Sequence, residues 1–269
     1  MDQNEAINRL WKANKDLWNQ KILPVVLDPL EKKGGLDTTG AWENILATAF
    51  GNSLKTFESI QMLCNPSLPR LLWEDAFILT RRHLEIFIML EWIAQDSPKR
   101  AMLFLDEYWL KSAHLLDLLD ENEESLSVEK RQEIYNQRDE VLKRHLKGQG
   151  TLNLLPKLEQ RVDSLKEALK TRELNLFSEY DFYYRDISGF VHPSGWWSIN
   201  SLSYAEAPVS VVEPQHRIGL NAVLLNGSGL FRIMKCWNRT FKVLLEETLD
   251  QWHKLWMTNS GIEELSRSQ

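Results

Sequence analysis

From Ile7 to Trp252 the apolar side chains recur at steps of three and four, segment after segment, and almost nothing in the chain alternates. That period belongs to helices that each bury one stripe, and it restricts the fold to packed helices. The punctuation agrees. Twelve glycines and nine prolines in 269 residues are too few for a loop-rich all-β protein or a disordered one. Eleven tryptophans, spread from Trp11 to Trp256, point to aromatic filling of many helix contacts rather than one cage.

The segments can be bounded. Residues 4–32 place Ile7, Leu10, Trp11, Asn14, Leu17 and Trp18 on one face, with KKGG at 32–35 as the stop. A second helix is expected from about Trp42 to Cys64 after LDTTG, then a turn at NPSLP and a third helix to about Gln95. Ser97-Pro98 is a cap followed by proline at the first helical position, so a fourth helix should run from there to about Leu119. DENEESLS at 120–127 is an acidic loop, and 128–147, dominated by Lys, Arg, Glu and Gln, reads as a solvated helix. Between 152 and 170, Leu155, Leu158, Val162, Leu165 and Leu169 form a short coiled-coil-like seam, which fits a hairpin with the preceding helix or a dimer contact. A loop or short hairpin at 198–214 leads to a last helix from Pro214 to about Trp256, with Gly227-Ser228-Gly229 as a potential kink. The expected architecture is a single all-α domain, a bundle of seven to eight helices with a protruding helical hairpin. The bundle core would span about 40–120 plus 172–258, with 120–172 as a helical insertion and 1–35 as an N-terminal helix.

Several functional classes lose ground at this level. The polar, amphipathic start MDQNEAINRLWKANK does not resemble a secretory leader, and LEIFIMLEWIA at 84–94 is too short and too acidic for a membrane span. A cytoplasmic protein with no membrane partner is expected, in which Cys64 and Cys236 are reduced core thiols and the N-x-S/T matches at Asn226 and Asn238 are chance. Glu213-Pro-Gln-His216 is the one Glu-x-x-His match and straddles a helix start, and no phosphate-cradling glycine loop or cysteine pair occurs. No metal and no cofactor is therefore expected. The net charge of −6 also argues against a protein that coats nucleic acid through a broad basic face, so any such role must rest on a local site.

Two stretches carry candidate chemistry. In TRRHLEIFIMLEWI, Arg81 and Glu85 are four apart and share a face that continues through Ile88 and Trp92. They form either a structural ion pair tying this helix to a neighbour or part of a site; His83 points elsewhere. In YDFYYRDISGFVHPSGWWS, at 180–198, Arg185 and His192 are seven apart, nearly on one side of a helix, with Ser188 between them. Pro193 places His192 at the helix end, where its ring can swing into a cleft. Neutral imidazole exchanges protons near pH 7, and guanidinium forks onto phosphate oxygens. One group that moves protons and one that grips phosphate are what metal-free RNA cleavage by the 2′-hydroxyl requires. The same residues allow a structural arrangement, with Arg185 paired to Glu179 or Asp181 and His192 capping a helix. Tyr183, Tyr184, Phe190, Trp196 and Trp197 around them fit core or dimer contacts, or a base-stacking platform. A hydrolase using Ser188 and His192 would need a carboxylate brought in from elsewhere.

The Arg185, Asp186, His192 pattern, with six residues between arginine and histidine near the end of an all-α chain, resembles the HEPN superfamily. The layout is also similar to a family of uncharacterised microbial proteins with an R-x-x-x-E helix, here Arg81 to Glu85, and a Ser-x-x-x-His-Pro stretch, here Ser188 to Pro193. The resemblance implies a metal-independent ribonuclease, commonly a toxin or antiviral defence effector, working as a homodimer with two Arg/His motifs facing each other. It implies Arg185 and His192 as the catalytic pair, Asp186 orienting the arginine, Ser188 and Tyr184 beside them, and Glu85 or Arg81 as a helper. RNA would be the substrate and a regulatory protein a possible partner. Some relatives of this fold are inert binding modules, so a non-catalytic helical interaction protein, binding a protein partner or a nucleotide, is the alternative expectation.

Overall fold

The computed structural model describes residues 3–24, 38–68, 72–118, 126–145, 154–168 and 212–242, together with 246–247, 249–251 and 253–254. The described elements are α1 (Gln3–Leu17) followed by a π-helical turn at Trp18–Ile22, α2 (Ala41–Leu63), α3 (Leu72–Ala94), α4 (Ser97–Leu118), α5 (Val128–His145), α6 (Leu158–Ala168) and α7 (Val212–Phe241). Among the described residues there is no strand, and no helix long and apolar enough to cross a membrane. The chain is an all-α bundle, as its periodicity requires.

Local signals set the helix ends. Gly40, in extended conformation, precedes α2, and its carbonyl accepts the amide of Asn44. At the other end Cys64 donates back to the Ile60 carbonyl, and Asn65 Oδ1 accepts the Ser67 amide in the turn that follows. Glu74 and Asp75 sit in the first turn of α3, where the helix dipole favours negative charge. Ser127 caps α5 through Lys130 N–H, and Lys143, Arg144 and His145 occupy its last turn. α7 continues through Gly227 and Gly229 and ends where Lys242 takes a φ of +50°, the left-handed geometry that closes helices.

α3 lies at the centre, packed against α7, α2, α6 and α4. The contacts His83 with Ser53 and Asn226 with Phe57 set α2 antiparallel to both α3 and α7. The principal core is shared by α2, α3 and α7 and includes Leu46, Phe50, Phe57, Phe87, Ile88, Leu230, Ile233 and Trp237. Phe50 stacks on Trp237 with ring centroids 4.2 Å apart. A second cluster seats α1 on the other end of these helices, through Ile7, Leu10, Ile60, Trp73, Phe77, Ile218 and Val223. Asn14, on the same α1 face, donates from Nδ2 to the Val223 carbonyl, and Trp11 donates from Nε1 to the Gln61 carbonyl. The stripe expected on α1 is thus the buried one; the helix passes through a π turn at Trp18–Ile22, and residues 25–32 of the expected stretch lie outside the described residues.

Region 126–168 is held by different means at its two helices. α5 stays outside, burying Ile134 and Val141 and joining Ala113 and Leu116 of α4 in a small satellite cluster. α6 instead turns its seam inward. Val162 and Leu165 are buried in the principal core, with Leu155 and Leu158 packed against it, so the stripe expected to face a hairpin partner is covered largely by α3. The two cysteines are free and buried, as expected of reduced core thiols, and Asn226 and Asn238 are buried too.

α3 and α7 come unusually close at two glycines. A Cβ at Gly219 would lie 2.4 Å from the Trp73 ring, and one at Gly229 would lie 2.8 Å from His83 Cβ. Neither neighbour can yield cheaply, because Trp73 and His83 are themselves buried. Gly229→Ala is expected to destabilise the fold by about 1–3 kcal/mol, the usual range for overpacking a tight contact; an unchanged urea midpoint would show that the helices can part freely. His83 supplies a pH dependence. Its Nε2 meets the Ser53 carbonyl at 2.9 Å, and burial pushes its pKa down from 6.5 to about 4. The unfolded chain therefore binds a proton that the folded chain refuses between those two values. Stability should fall as pH drops through that window, by up to roughly 3 kcal/mol, and His83→Gln should flatten that part of the pH–stability curve relative to wild type.

Candidate functional site

Arg81, Glu85, Ile88 and Trp92 occupy successive turns on one side of α3. The upper two make a salt bridge, Arg81 Nε to Glu85 Oε1 at 2.8 Å, with side chains 23% and 41% exposed. Ile88 and Trp92 below them are buried. The ion pair spans one turn of α3. At that exposure such a pair contributes well under about 1 kcal/mol.

α6 crosses this same side of α3 and brings a third charge. Arg161 donates from Nε to the Pro156 carbonyl at 2.9 Å, and its guanidinium carbon lies 5.7 Å from the Trp92 ring centroid. Arg100 approaches the same ring at 4.6 Å and donates to the Trp92 carbonyl. Burial pushes the Arg161 pKa down, opposed by the negative charges of Glu107 and Glu85. Neither carboxylate reaches salt-bridge distance of Arg161 among the described residues.

Two adjacent acids on α4 fix the surroundings of this corner. Glu107, 6% exposed in its side chain, pairs with Lys111 and accepts the backbone N–H of Leu155 at 2.6 Å. Asp106, equally buried, pairs with Arg144 at 2.6 Å and His145 at 2.8 Å. One carboxylate thus holds the entry to α6 and the other holds the end of α5. The sequence reading passed over both; the available signal was two consecutive acids, Asp106-Glu107, inside an amphipathic helix.

The thiols and the described buried histidine offer no reactive chemistry. Cys236 donates to Glu91 Oε1 at 2.9 Å and lies 3.1 Å from Arg239 Nη2. Burial first, then the Glu91 charge, drives its pKa far above the thiol range. Cys64 is pushed up to about 12 by burial alone. Both remain protonated and non-nucleophilic. His83, on α3, is sealed against α2 and Gly229 of α7 and is a core histidine. Among the described residues no group of three or more potential metal ligands occurs.

Of the residues singled out in the sequence, Arg81 and Glu85 are therefore joined on an accessible helix face. Tyr184, Arg185, Asp186, Ser188 and His192, with their aromatic neighbours, lie outside the described residues. What the described part defines is a helical bundle with a charged, half-open corner where α3, α4 and α6 meet. The chain belongs to a family of unknown function, DUF5677, whose model matches residues 43–205, more than half its length. The matched stretch contains the corner and the Arg185–His192 segment alike, while α1 and α7 fall outside it. No curated protein and no solved structure matches the chain.

Glu107 gives a direct test of how that corner is held. Glu107→Leu strands the buried Leu155 N–H and is expected to cost about 1–3 kcal/mol, whereas Glu107→Gln keeps an acceptor and should cost less. Equal urea midpoints for the two variants would mean that the backbone contact is not what the carboxylate supplies.

Proposed function

We propose that this chain is a metal-independent endoribonuclease of the HEPN type, working as a homodimer, with the cellular role of a conditional toxin or antiviral defence effector. The observation that carries the reading is the Arg185–Asp186–His192 pattern within the stretch that the family model matches. The part-buried Arg81–Glu85 pair on α3 lies in the same matched stretch and supplies the helper that this reading expects.

The chemistry follows from the two side chains. His192, as neutral imidazole, takes the proton from a ribose 2′-hydroxyl as that oxygen attacks the adjacent phosphorus. Arg185 holds the non-bridging oxygens and stabilises the charge that builds on them, with Asp186 orienting the guanidinium. The bond to the 5′-oxygen of the next nucleotide breaks, and that oxygen is protonated as it leaves. The products are a 2′,3′-cyclic phosphate and a 5′-hydroxyl. Glu85 or Arg81 serves as a helper from α3.

A second reading is favoured by one specific observation. α4 exposes Tyr108, Leu115 and Leu118, and α5 presents a long charged surface beside it. A non-catalytic module that binds a protein partner would use such a face.

Purified protein in chelator should cleave single-stranded RNA and leave cyclic phosphate ends. His192→Ala is expected to lower the rate by at least about a hundredfold, the lower range for losing a general acid–base group, without shifting the thermal midpoint. Cleavage that persists unchanged in that variant would overturn the assignment, and absence of cleavage by wild type at any concentration would favour the interaction module.

A further inference from the structure

α6 brings a guanidinium, that of Arg161, to the corner where it meets α3 and α4. Arg161 is half-buried, yet among the described residues its hydrogen bonding is one donation from Nε to the Pro156 carbonyl. The forked Nη1 and Nη2 groups meet no carboxylate among the described residues, although Glu85 and Glu107 are near enough to act on the charge. A guanidinium withdrawn from water loses hydration, and contact with a carboxylate is the usual compensation. Here the carboxylates are engaged elsewhere. Glu85 is taken by Arg81 and Glu107 by Lys111 and the Leu155 amide.

The arrangement also looks preorganised. The Nε hydrogen bond fixes the plane of the fork, and the Trp92 ring, itself buried, limits its swing from one side. An exposed arginine would lose side-chain freedom on binding an anion, while this one has lost part of it already. A planar fork with its terminal donors unspent suits a tetrahedral oxyanion that it can meet with two parallel hydrogen bonds.

We propose that Arg161 binds a backbone phosphate of single-stranded RNA; this rests on the ribonuclease reading given above. It would act by positioning the strand along the α3–α6 corner, leaving proton transfer to His192.

The test is equilibrium binding of a fluorescently labelled single-stranded RNA oligonucleotide to the full chain, in chelator, across a salt series. A His192→Ala background keeps the probe intact, and Arg161→Gln and Arg161→Lys are compared in it. Loss of one phosphate contact should weaken binding by about tenfold in Arg161→Gln and reduce the slope of log K against log salt by about 0.7 to 1. Arg161→Lys should recover the slope, since charge is kept, but only part of the affinity, since the fork is lost. The salt slope separates the proposal from a merely structural role, which would lower affinity without changing the number of ions released. If Arg161→Gln does not fold by circular dichroism, the lysine variant carries the test through its affinity. An unchanged affinity and slope in Arg161→Gln, or full affinity in Arg161→Lys, overturns the Arg161 proposal alone. Failure of the parent protein to bind RNA, with no cleavage by wild type, overturns the ribonuclease reading itself and this proposal with it.

Discussion

The close approach of α3 and α7 is the contact on which the bundle depends. Two glycines ten residues apart, Gly219 and Gly229, let the backbone of α7 press against Trp73 and His83. With α7 drawn in, Leu230, Ile233 and Trp237 reach the Phe50, Phe87 and Ile88 layer. Buried aliphatic and aromatic contacts supply most of the stabilisation, roughly 25 cal/mol for each Å² withdrawn from water. They do not choose a register, because one helix can slide on another with little apolar loss. The polar groups in these interfaces make that choice. His83 reaches the Ser53 carbonyl, Asn226 the Phe57 carbonyl and Asn14 the Val223 carbonyl, tying α3 to α2, α7 to α2 and α1 to α7. Sliding any of these helices would strand a buried donor, at a cost of about 1–3 kcal/mol each.

The acids of α4 perform the same service for region 126–168. A long, charged helix such as α5 buries too little to hold its own place: only Ile134 and Val141 of its described side chains are buried. Asp106 fixes its end through Arg144 and His145, and the neighbouring Glu107 fixes the start of α6. Because the two carboxylates are consecutive, the end of α5 and the start of α6 are both held to neighbouring positions on α4. That places Arg161, on the first turns of α6, against the side of α3 that bears Arg81 and Glu85.

Much of the fold was legible in the sequence because its signals are local. α2, α3, α4 and α5 begin and end within a few residues of their expected bounds, since Ser97-Pro98, Ser127 and the Asn65 turn act on their own neighbours. The π turn at Trp18–Ile22 was not legible: Trp18 keeps the helical stripe going, packs on Phe57 5.4 Å away between centroids, and no breaker residue marks the place. The seam Leu158–Val162–Leu165 announced a buried stripe but not its partner, which is a tertiary fact. The site divides along the same line. An i, i+4 pair such as Arg81–Glu85 can be read from spacing, whereas Arg161 comes beside it only through the path of the chain between α4 and α6.

The acidic balance of the chain is not an obstacle to a polyanionic ligand at this corner. At physiological ionic strength charges are screened over about 8 Å, so the potential that a phosphate meets is set by the groups around this corner and not by the total of −6. On α3, α4 and α6 the nearby carboxylates are already neutralised by contact, Glu85 by Arg81 and Glu107 by Lys111. Beside Arg100, Arg161 adds a positive charge that meets no carboxylate among the described residues. It sits where solvent is partly excluded, and there a given separation is worth more than at the open surface. A protein can therefore carry excess acid over its outer helices, stay soluble, discourage nonspecific coating of nucleic acid, and still offer one strand of phosphates a point of purchase where three helices converge.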